Sequence, residues 1–131
     1  MRRTARFLMA SALAAATYSG PAVAQSCDQW SADGTFRLRQ SNGYTVRCTL
    51  NQDGQNFAGY CSAGGNDGDA KGWIKNSGQF RLDVTWDGGA RGRYTGVVND
   101  DGDVEDGWTY DRSNPDVKAR WSNTSGLTCA S

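Results

Sequence analysis

The sequence of 131 residues contains no histidine and only two prolines. Histidine is the commonest general base, and it activates the nucleophile in Ser-His and Cys-His pairs. Without it, carboxylate pairs of the kind that glycosidases use remain, and Asp83 or Glu105 would be the candidates. Asp83, however, lies between Leu82 and Val84, where an alternating strand directs it to solvent. We therefore expect no catalytic residue and no enzyme.

Long apolar runs are also absent, except near the N-terminus. Three arginines among the first six residues precede an alanine-rich apolar stretch over residues 7–18, and Ala22-Val23-Ala24 follows. The stretch is too short to span a bilayer, which takes roughly 20 residues. The order of charge, apolar core and small-x-small site predicts a secretory signal peptide over residues 1–24. Residues 25–131 then form one secreted or periplasmic domain that has no membrane segment.

Runs of basic residues are missing as well. The chain has 14 basic and 14 acidic residues, and removal of the predicted signal peptide leaves 11 basic residues against 14 acidic ones. Nucleic-acid binding depends on clustered lysine and arginine. A mildly acidic domain without such a cluster predicts that nucleic acid is not a partner.

Glycine is plentiful, and it marks turns between short alternating runs. The turn signals include Asp53-Gly54, Asn66-Asp67-Gly68 and Asp87-Gly88-Gly89. Apolar residues recur at alternate positions, or form a short apolar run, over residues 36–38, 44–50, 57–61, 73–74, 80–86, 94–98, 104–110 and 117–121. This pattern predicts half-buried strands. We expect an all-β, antiparallel up-and-down meander of about eight strands, which forms a closed small barrel or, as the alternative, a β-sandwich. The barrel is favoured because closure removes exposed sheet edges.

Four cysteines, an even number, fall within the exported domain and predict two disulfides. No close C-x-x-C pair is present to suggest a zinc site, so neither metal nor cofactor is expected. Cys48 and Cys61 flank the Asp53-Gly54 turn at similar distances and share the parity of the apolar face. Cys27 and Cys129 lie at the two chain ends, which meet when a barrel closes. We therefore favour the pairs Cys48–Cys61 and Cys27–Cys129 among the three that are possible.

The acidic segment over residues 100–106 has carboxylates at alternate positions, as calcium-binding loops do. An EF-hand loop needs glycine at its sixth position, and counting from Asp101 that position is Asp106. A solvated hairpin tip is therefore the favoured interpretation. Calcium binding stays open as the alternative.

Five tryptophans are the most unusual feature of the composition. Trp86, Trp108 and Trp121 lie near the ends of predicted strands. Aromatic side chains at inward positions of a small barrel either fill its core or line a pocket. We predict that these three tryptophans line a ligand-binding mouth, with core filling as the alternative for each.

Several motifs follow one another in a familiar order: Trp30 before Gly34-Thr35, Phe57-Ala58-Gly59-Tyr60, Val84-Thr85-Trp86, Tyr94-Thr95-Gly96, then Trp108 and Trp121. In this order they resemble the avidin and streptavidin family of eight-stranded barrels. The resemblance implies a barrel and an aromatic-lined mouth. It does not imply biotin binding, because Cys61 replaces the family's ligand-bonding tyrosine and Cys129 its ligand-facing Asn or Asp.

Together these patterns predict an exported small β-barrel that binds a small, partly apolar ligand at an aromatic-lined mouth. The alternative is a protein-binding module, for instance an inhibitor of a secreted hydrolase, that acts through a loop. The expected partner is a small molecule or another secreted protein.

Overall fold

A computed structural model describes residues 27–130, and the predicted signal peptide lies outside this part of the chain. Ten strands are present: β1 (Trp30–Ser31), β2 (Gly34–Gln40), β3 (Thr45–Asp53), β4 (Asn56–Ala63), β5 (Asn66–Ile74), β6 (Gln79–Trp86), β7 (Arg91–Val98), β8 (Val104–Asp111), β9 (Asn114–Asn123) and β10 (Thr128–Cys129). Residues 27–130 contain no helix that is long and apolar enough to cross a membrane.

Strands β2 to β9 form a closed barrel in which each strand pairs antiparallel with the next along the chain. Closure comes from β2 and β9, through the pairs Leu38–Asn123, Arg39–Ser122 and Gln40–Trp121. The predicted all-β, eight-stranded antiparallel meander is therefore confirmed as a barrel rather than a sandwich. Strands β1 and β10 pair with each other in a separate two-stranded sheet.

Strand β5 differs from its predicted form. Alternation indicated only a short run at residues 73–74, and Asn66-Asp67-Gly68 was expected to form a turn. In the structure these three residues begin β5, and the turn lies one step earlier at Gly64-Gly65. The inward positions of β5 are occupied by Gly68, Ala70 and Gly72, whose small side chains leave no hydrophobic alternation to detect.

The inward side chains of the other strands fill the middle of the barrel. Phe80 lies at the centre of an aromatic cluster, with its ring centroid 5.6 Å from Phe36, 5.9 Å from Phe57 and 5.3 Å from Trp121. Tyr94 meets Trp121 edge to face at 5.8 Å. Aromatic pairs at such separations stabilise a core beyond the area they bury.

Glycines on the inner face create the space for these rings. A Cβ at Gly72 would overlap the carbonyl oxygen of Arg81 and lie 2.7 Å from Cε1 of Phe57. A Cβ at Gly107 would likewise overlap the carbonyl oxygen of Trp121. At both positions the close approach of a neighbouring strand excludes any side chain.

Both predicted disulfides are confirmed. Cys48 and Cys61 are directly paired residues of β3 and β4 and are fully buried. The second bridge joins Cys27 to Cys129, which are separated by 102 residues in sequence and 5.6 Å between Cα atoms. Two disulfides in so small a domain are typical of proteins in an oxidising compartment.

The two terminal segments cover one end of the barrel, which we call the closed end. Gln52 Nε2 donates to the carbonyl of Trp30 at 2.8 Å, and Gln29 Nε2 donates to that of Ile74 at 3.1 Å. The Leu127 amide donates to the carbonyl of Gly102 at 2.9 Å. Leu127 is buried against the core, and Trp30 packs on it. The end disulfide therefore ties together the two segments that cover this end.

Loss of the end disulfide has a predictable cost. We expect the double variant Cys27→Ser/Cys129→Ser to keep the barrel but to lose roughly 4 kcal/mol of unfolding free energy, because a bridge across a long loop mainly restricts the unfolded chain. Urea unfolding of both proteins, with Cys48–Cys61 verified intact by mass spectrometry, measures the difference. A loss below about 1 kcal/mol would contradict the inferred role of the bridge.

The inner-face glycines provide a second test. We expect Gly72→Ala to lower the unfolding free energy by about 2 kcal/mol, because the added methyl group has no space beside Phe57 and β6. Gly126→Ala is the matched control, since a Cβ there contacts nothing within 4 Å. Chemical unfolding of the two variants should separate them clearly. Equal stabilities would show that the barrel relaxes around the new side chain.

Candidate functional site

The end of the barrel opposite the closed end is uncovered, and we call it the open end. Four connections lie there, at residues 41–44, 64–65, 87–90 and 112–113. A cavity of about 880 Å³ opens between them. It is lined by the ends of strands that also contribute to the core, so a well-packed scaffold supports it.

Small and apolar residues form the inner surface of this cavity. Val46 and Tyr94 are buried at its base, and Trp86, which is half-buried, forms part of its wall. Gly92 and Ala119 also line it and add little volume. The cavity exists because the inward residues become smaller towards this end, while the aromatic cluster below fills the barrel.

A chain of neutral hydrogen bonds crosses the cavity wall. The Tyr94 hydroxyl donates to Oε1 of Gln40 at 2.6 Å, and Nε2 of Gln40 donates to Oδ1 of Asn42 at 3.1 Å. Burial raises the pKa of Tyr94 to about 12, although a hydrogen bond with Thr109 acts in the opposite direction. The hydroxyl is therefore a neutral donor at physiological pH, and this part of the site carries no charge.

The charged residues that line the cavity are Asp111 and Lys118. Asp111 Oδ1 accepts the backbone N–H groups of Ser113 at 3.0 Å and of Arg91 at 3.1 Å, and these bonds hold the pKa of this carboxyl below its usual value. Its carboxylate thus stabilises the β8–β9 turn. Lys118 Nζ donates to the Pro115 carbonyl and lies 5.5 Å from the Tyr110 ring on the outer surface.

The rim of the cavity exposes apolar surface. Tyr44 is 59% exposed and Val117 is 67% exposed, and both line the opening. In the sequence, Tyr44 and Val117 each belong to a run that was predicted to form a strand with its apolar side chains directed inwards. Tyr44 lies in the β2–β3 connection, just before β3 begins, and Val117 lies at the uncovered end of β9.

The structure does not bring the three predicted tryptophans to one mouth. Trp86 lines the cavity. Trp121 lies below it in the core, 4% exposed, and its Nε1 donates to the carbonyls of Thr95 and Trp108 at 3.1 Å each. Trp108 is on the outer surface, 40% exposed, with the Arg120 guanidinium 4.5 Å from its ring centroid.

A β-bulge explains the position of Trp108. On either side of the bulge, Thr95 pairs with Trp108 and Val97 pairs with Glu105. The one residue between them on β7, Gly96, therefore lies opposite two residues of β8, Asp106 and Gly107. Asp106 adopts a positive φ of 52° there. The extra residue reverses the alternation in the second half of β8 and directs Trp108 outwards.

The carboxylates considered for catalysis lie away from the cavity. Asp83 is on the outer surface between Arg81 and Arg93. Partial burial acts to raise its pKa, but hydrogen bonds from Arg93 and Arg81 outweigh that effect and keep the pKa below its usual value. Glu105 accepts a hydrogen bond from Asn99 Nδ2 at 3.1 Å in the acidic hairpin.

The acidic hairpin is organised by an amide side chain. Asn99 Oδ1 accepts the backbone N–H groups of Asp101 at 2.9 Å and Asp103 at 3.0 Å. Within residues 27–130, no three His, Cys, Asp or Glu side chains are grouped so that they could hold a metal ion. The hairpin therefore offers no assembled calcium site in the described part of the chain.

Comparison with known proteins returns no match among family models, curated proteins or solved structures. The eight-stranded closed barrel is compatible with the architecture that the avidin-family motifs imply. The proposal for the function of this domain therefore rests on the residues of the cavity and not on a relative.

Titration of Tyr94 provides a direct test of the cavity's electrostatics. Because its folded pKa lies above the ordinary value of 10, the neutral hydroxyl favours the folded state below pH 10, and this contribution is lost as the pH rises towards 12. We expect wild-type protein to lose unfolding free energy relative to Tyr94→Phe across that interval. Urea unfolding of both proteins from pH 8 upwards measures it, and a difference that does not change with pH would contradict the assignment.

Proposed function

We propose that this domain is an exported β-barrel binding protein whose open end takes a small, neutral, partly apolar ligand. One observation carries the proposal: the barrel has a cavity of about 880 Å³ that is open at one end and closed by packed core at the other. Ligand pockets in proteins usually measure about 300–1,000 Å³. The cavity is therefore of a suitable size for a molecule with several rings.

The lining supports this ligand class. Trp86 and Val46 offer apolar contact, while Gln40 and Tyr94 offer a hydrogen-bonding pair held in place by the fold. A charged group on the ligand would meet no compensating charge at the cavity base, and burying an unpaired charge costs free energy.

Export and a relationship to the avidin family are part of the same proposal. The predicted signal peptide and the two disulfides support a secreted or periplasmic location. The order of the tryptophan motifs and the barrel architecture support an avidin-like use of the open end. Biotin is not proposed as the ligand, because Cys61 and Cys129, at two of the family's ligand-contacting positions, are both engaged in disulfides.

A protein-binding module remains the second candidate function, and one observation favours it. Tyr44 and Val117 expose apolar surface at the rim, where a partner such as a secreted hydrolase would contact the loops. This function needs the rim rather than the cavity. A variant that fills the cavity therefore separates the two proposals.

A ligand screen with a matched pair of variants tests the cavity proposal. We expect neutral aromatic compounds to raise the melting temperature of the oxidised protein and to change its tryptophan fluorescence. Ala119→Trp places a large ring in the cavity and should weaken binding of these compounds by about tenfold or more, equivalent to about 1.4 kcal/mol. Ala58→Trp, on the exposed outer face of β4, is the control and should leave binding within about twofold.

Two outcomes would contradict the proposal. One is a screen in which no class of neutral compound stabilises the protein. The other is full binding by Ala119→Trp when circular dichroism shows that this variant is folded. Loss of binding to a protein partner on changing Tyr44 or Val117, with Ala119→Trp unaffected, would favour the second candidate.

A further inference from the structure

The outside of the barrel carries a second organised cluster, across strands β5 to β9. The pairing register aligns its members in two rows that run perpendicular to the strands. We call this cluster the outer aromatic face, and it consists of Trp73, Arg81, Thr95, Trp108 and Arg120 in one row and Lys71, Asp83, Arg93, Tyr110 and Lys118 in the next.

Each aromatic ring of this face has a cation beside it. The Arg120 guanidinium lies 4.5 Å from the centroid of Trp108. Lys75 Nζ lies 4.9 Å from the Trp73 ring, and Arg81 lies 6.0 Å from the same ring. Aromatic surface and positive charge are thus presented together, as cation–π pairs.

A groove of about 390 Å³ lies over part of this face and is lined by members of both rows and by residues beside them. Trp73 and Tyr110 line it from strands at opposite sides, and Thr95 and Gly96 are the small residues between them. Asp106, the residue of the β8 bulge, lines it as well. The groove exists because small residues of β7 lie between larger side chains of β5 and β8.

Two arginines in this groove are held in fixed positions. Arg93 Nε donates to Asp83 Oδ1 at 2.8 Å, and Arg81 Nη2 donates to Asp83 Oδ2 at 3.0 Å. Asp83 is the more buried partner in both pairs. A guanidinium has five N–H donors, so both arginines keep donors for another group. One carboxylate between two guanidiniums also leaves a net positive charge.

The face has the opposite charge to the domain as a whole. Its two rows contain five cations and one carboxylate, and when Asp106, which lines the groove beside them, is included, the net charge is +3. The chain from residue 27 to residue 130 contains 11 basic and 14 acidic residues. A positive face on an acidic domain is complementary to an anionic partner.

We propose that the outer aromatic face binds an acidic saccharide, whose carboxylate is held by Arg81 and Arg93 and whose ring lies between Trp73 and Tyr110. Nε and Nη2 of both arginines donate to Asp83, and their remaining Nη N–H groups can bind the ligand carboxylate. The negative face of an aromatic ring attracts the polarised C–H groups of a sugar. Sugar hydroxyls both donate and accept hydrogen bonds, and the groove supplies Gln79 and Asp106 beside the arginines.

Other polymers suit this face less well. A peptide usually binds a sheet by pairing with a free strand edge, and β5 to β8 are paired on both sides. Single-stranded nucleic acid combines stacking with regular phosphate contacts. Of the five cations of this face only Arg81 and Arg93 line the groove, so it offers no regular row of cations for a run of phosphates.

Trigalacturonic acid is a suitable probe, since each of its rings carries a carboxylate. We expect the full oxidised domain to bind it in isothermal titration calorimetry at low salt. Its methyl ester, which is neutral, should bind at least about tenfold more weakly. Arg93→Gln and Trp73→Ala should each weaken binding of the acid by a similar factor.

Arg47→Gln is the matched control. Arg47 is an exposed, outward arginine on β3, which lies across the barrel from β7. This variant should bind within about twofold of wild type. Ala119→Trp should also bind normally, so the outcome here does not depend on the cavity at the open end.

Three results would overturn the proposal. The first is no binding of trigalacturonic acid by the wild-type domain. The second is equal loss in Arg47→Gln and Arg93→Gln, which would indicate diffuse charge attraction. The third is binding of a thymidine oligonucleotide as tight as that of the saccharide and equally sensitive to Arg93→Gln, which would indicate a nucleic-acid site.

Discussion

Pairing between β2 and β9 is the contact on which the rest of the structure depends. It joins the first and last strands of the meander at only three positions, yet it removes both free edges and defines an inside and an outside for all eight strands. Gln40 and Trp121 face each other in this ladder. Trp121 completes the aromatic core, and Gln40 Oε1 accepts a hydrogen bond from the Tyr94 hydroxyl. Closure therefore builds the core and the polar wall of the cavity together.

The two ends of the barrel differ because the chain termini cover only one of them. The segments around Trp30 and Leu127 pack on the core at the closed end, and the Cys27–Cys129 bridge joins them. At the open end the inward side chains become small, as at Gly92 and Ala119, and nothing in the described part of the chain replaces the missing volume. A cavity open at one end is the consequence of this asymmetry. The outer aromatic face lies on the outside of the barrel and reaches the cavity only at Tyr110 and Lys118, which also line it.

Much of the fold could be predicted from local pattern. Alternation over β6 was clean, and the shared parity of Cys48 and Cys61 across a turn predicted a directly paired bridge. The prediction was wrong where a strand has no hydrophobic alternation and where a bulge interrupts the alternation. Three of the inward residues of β5 are small and only Ile74 is large, so this strand shows no hydrophobic alternation, and the bulge at Asp106 reverses the direction of Trp108. The Tyr94–Gln40 contact joins residues 54 positions apart in sequence, and these residues meet only because the barrel closes in a particular register.

The open end, rather than the outer surface, is proposed to receive the neutral, partly apolar ligand. Fluorine NMR of the oxidised domain labelled with 5-fluorotryptophan tests it most directly, because the five tryptophans occupy different environments. Titration with a neutral aromatic compound that stabilises the protein should move the Trp86 resonance first and most. Trp73 and Trp108, on the outer surface, should remain unchanged. A shift confined to the outer tryptophans, with Trp86 unaffected, would contradict the account.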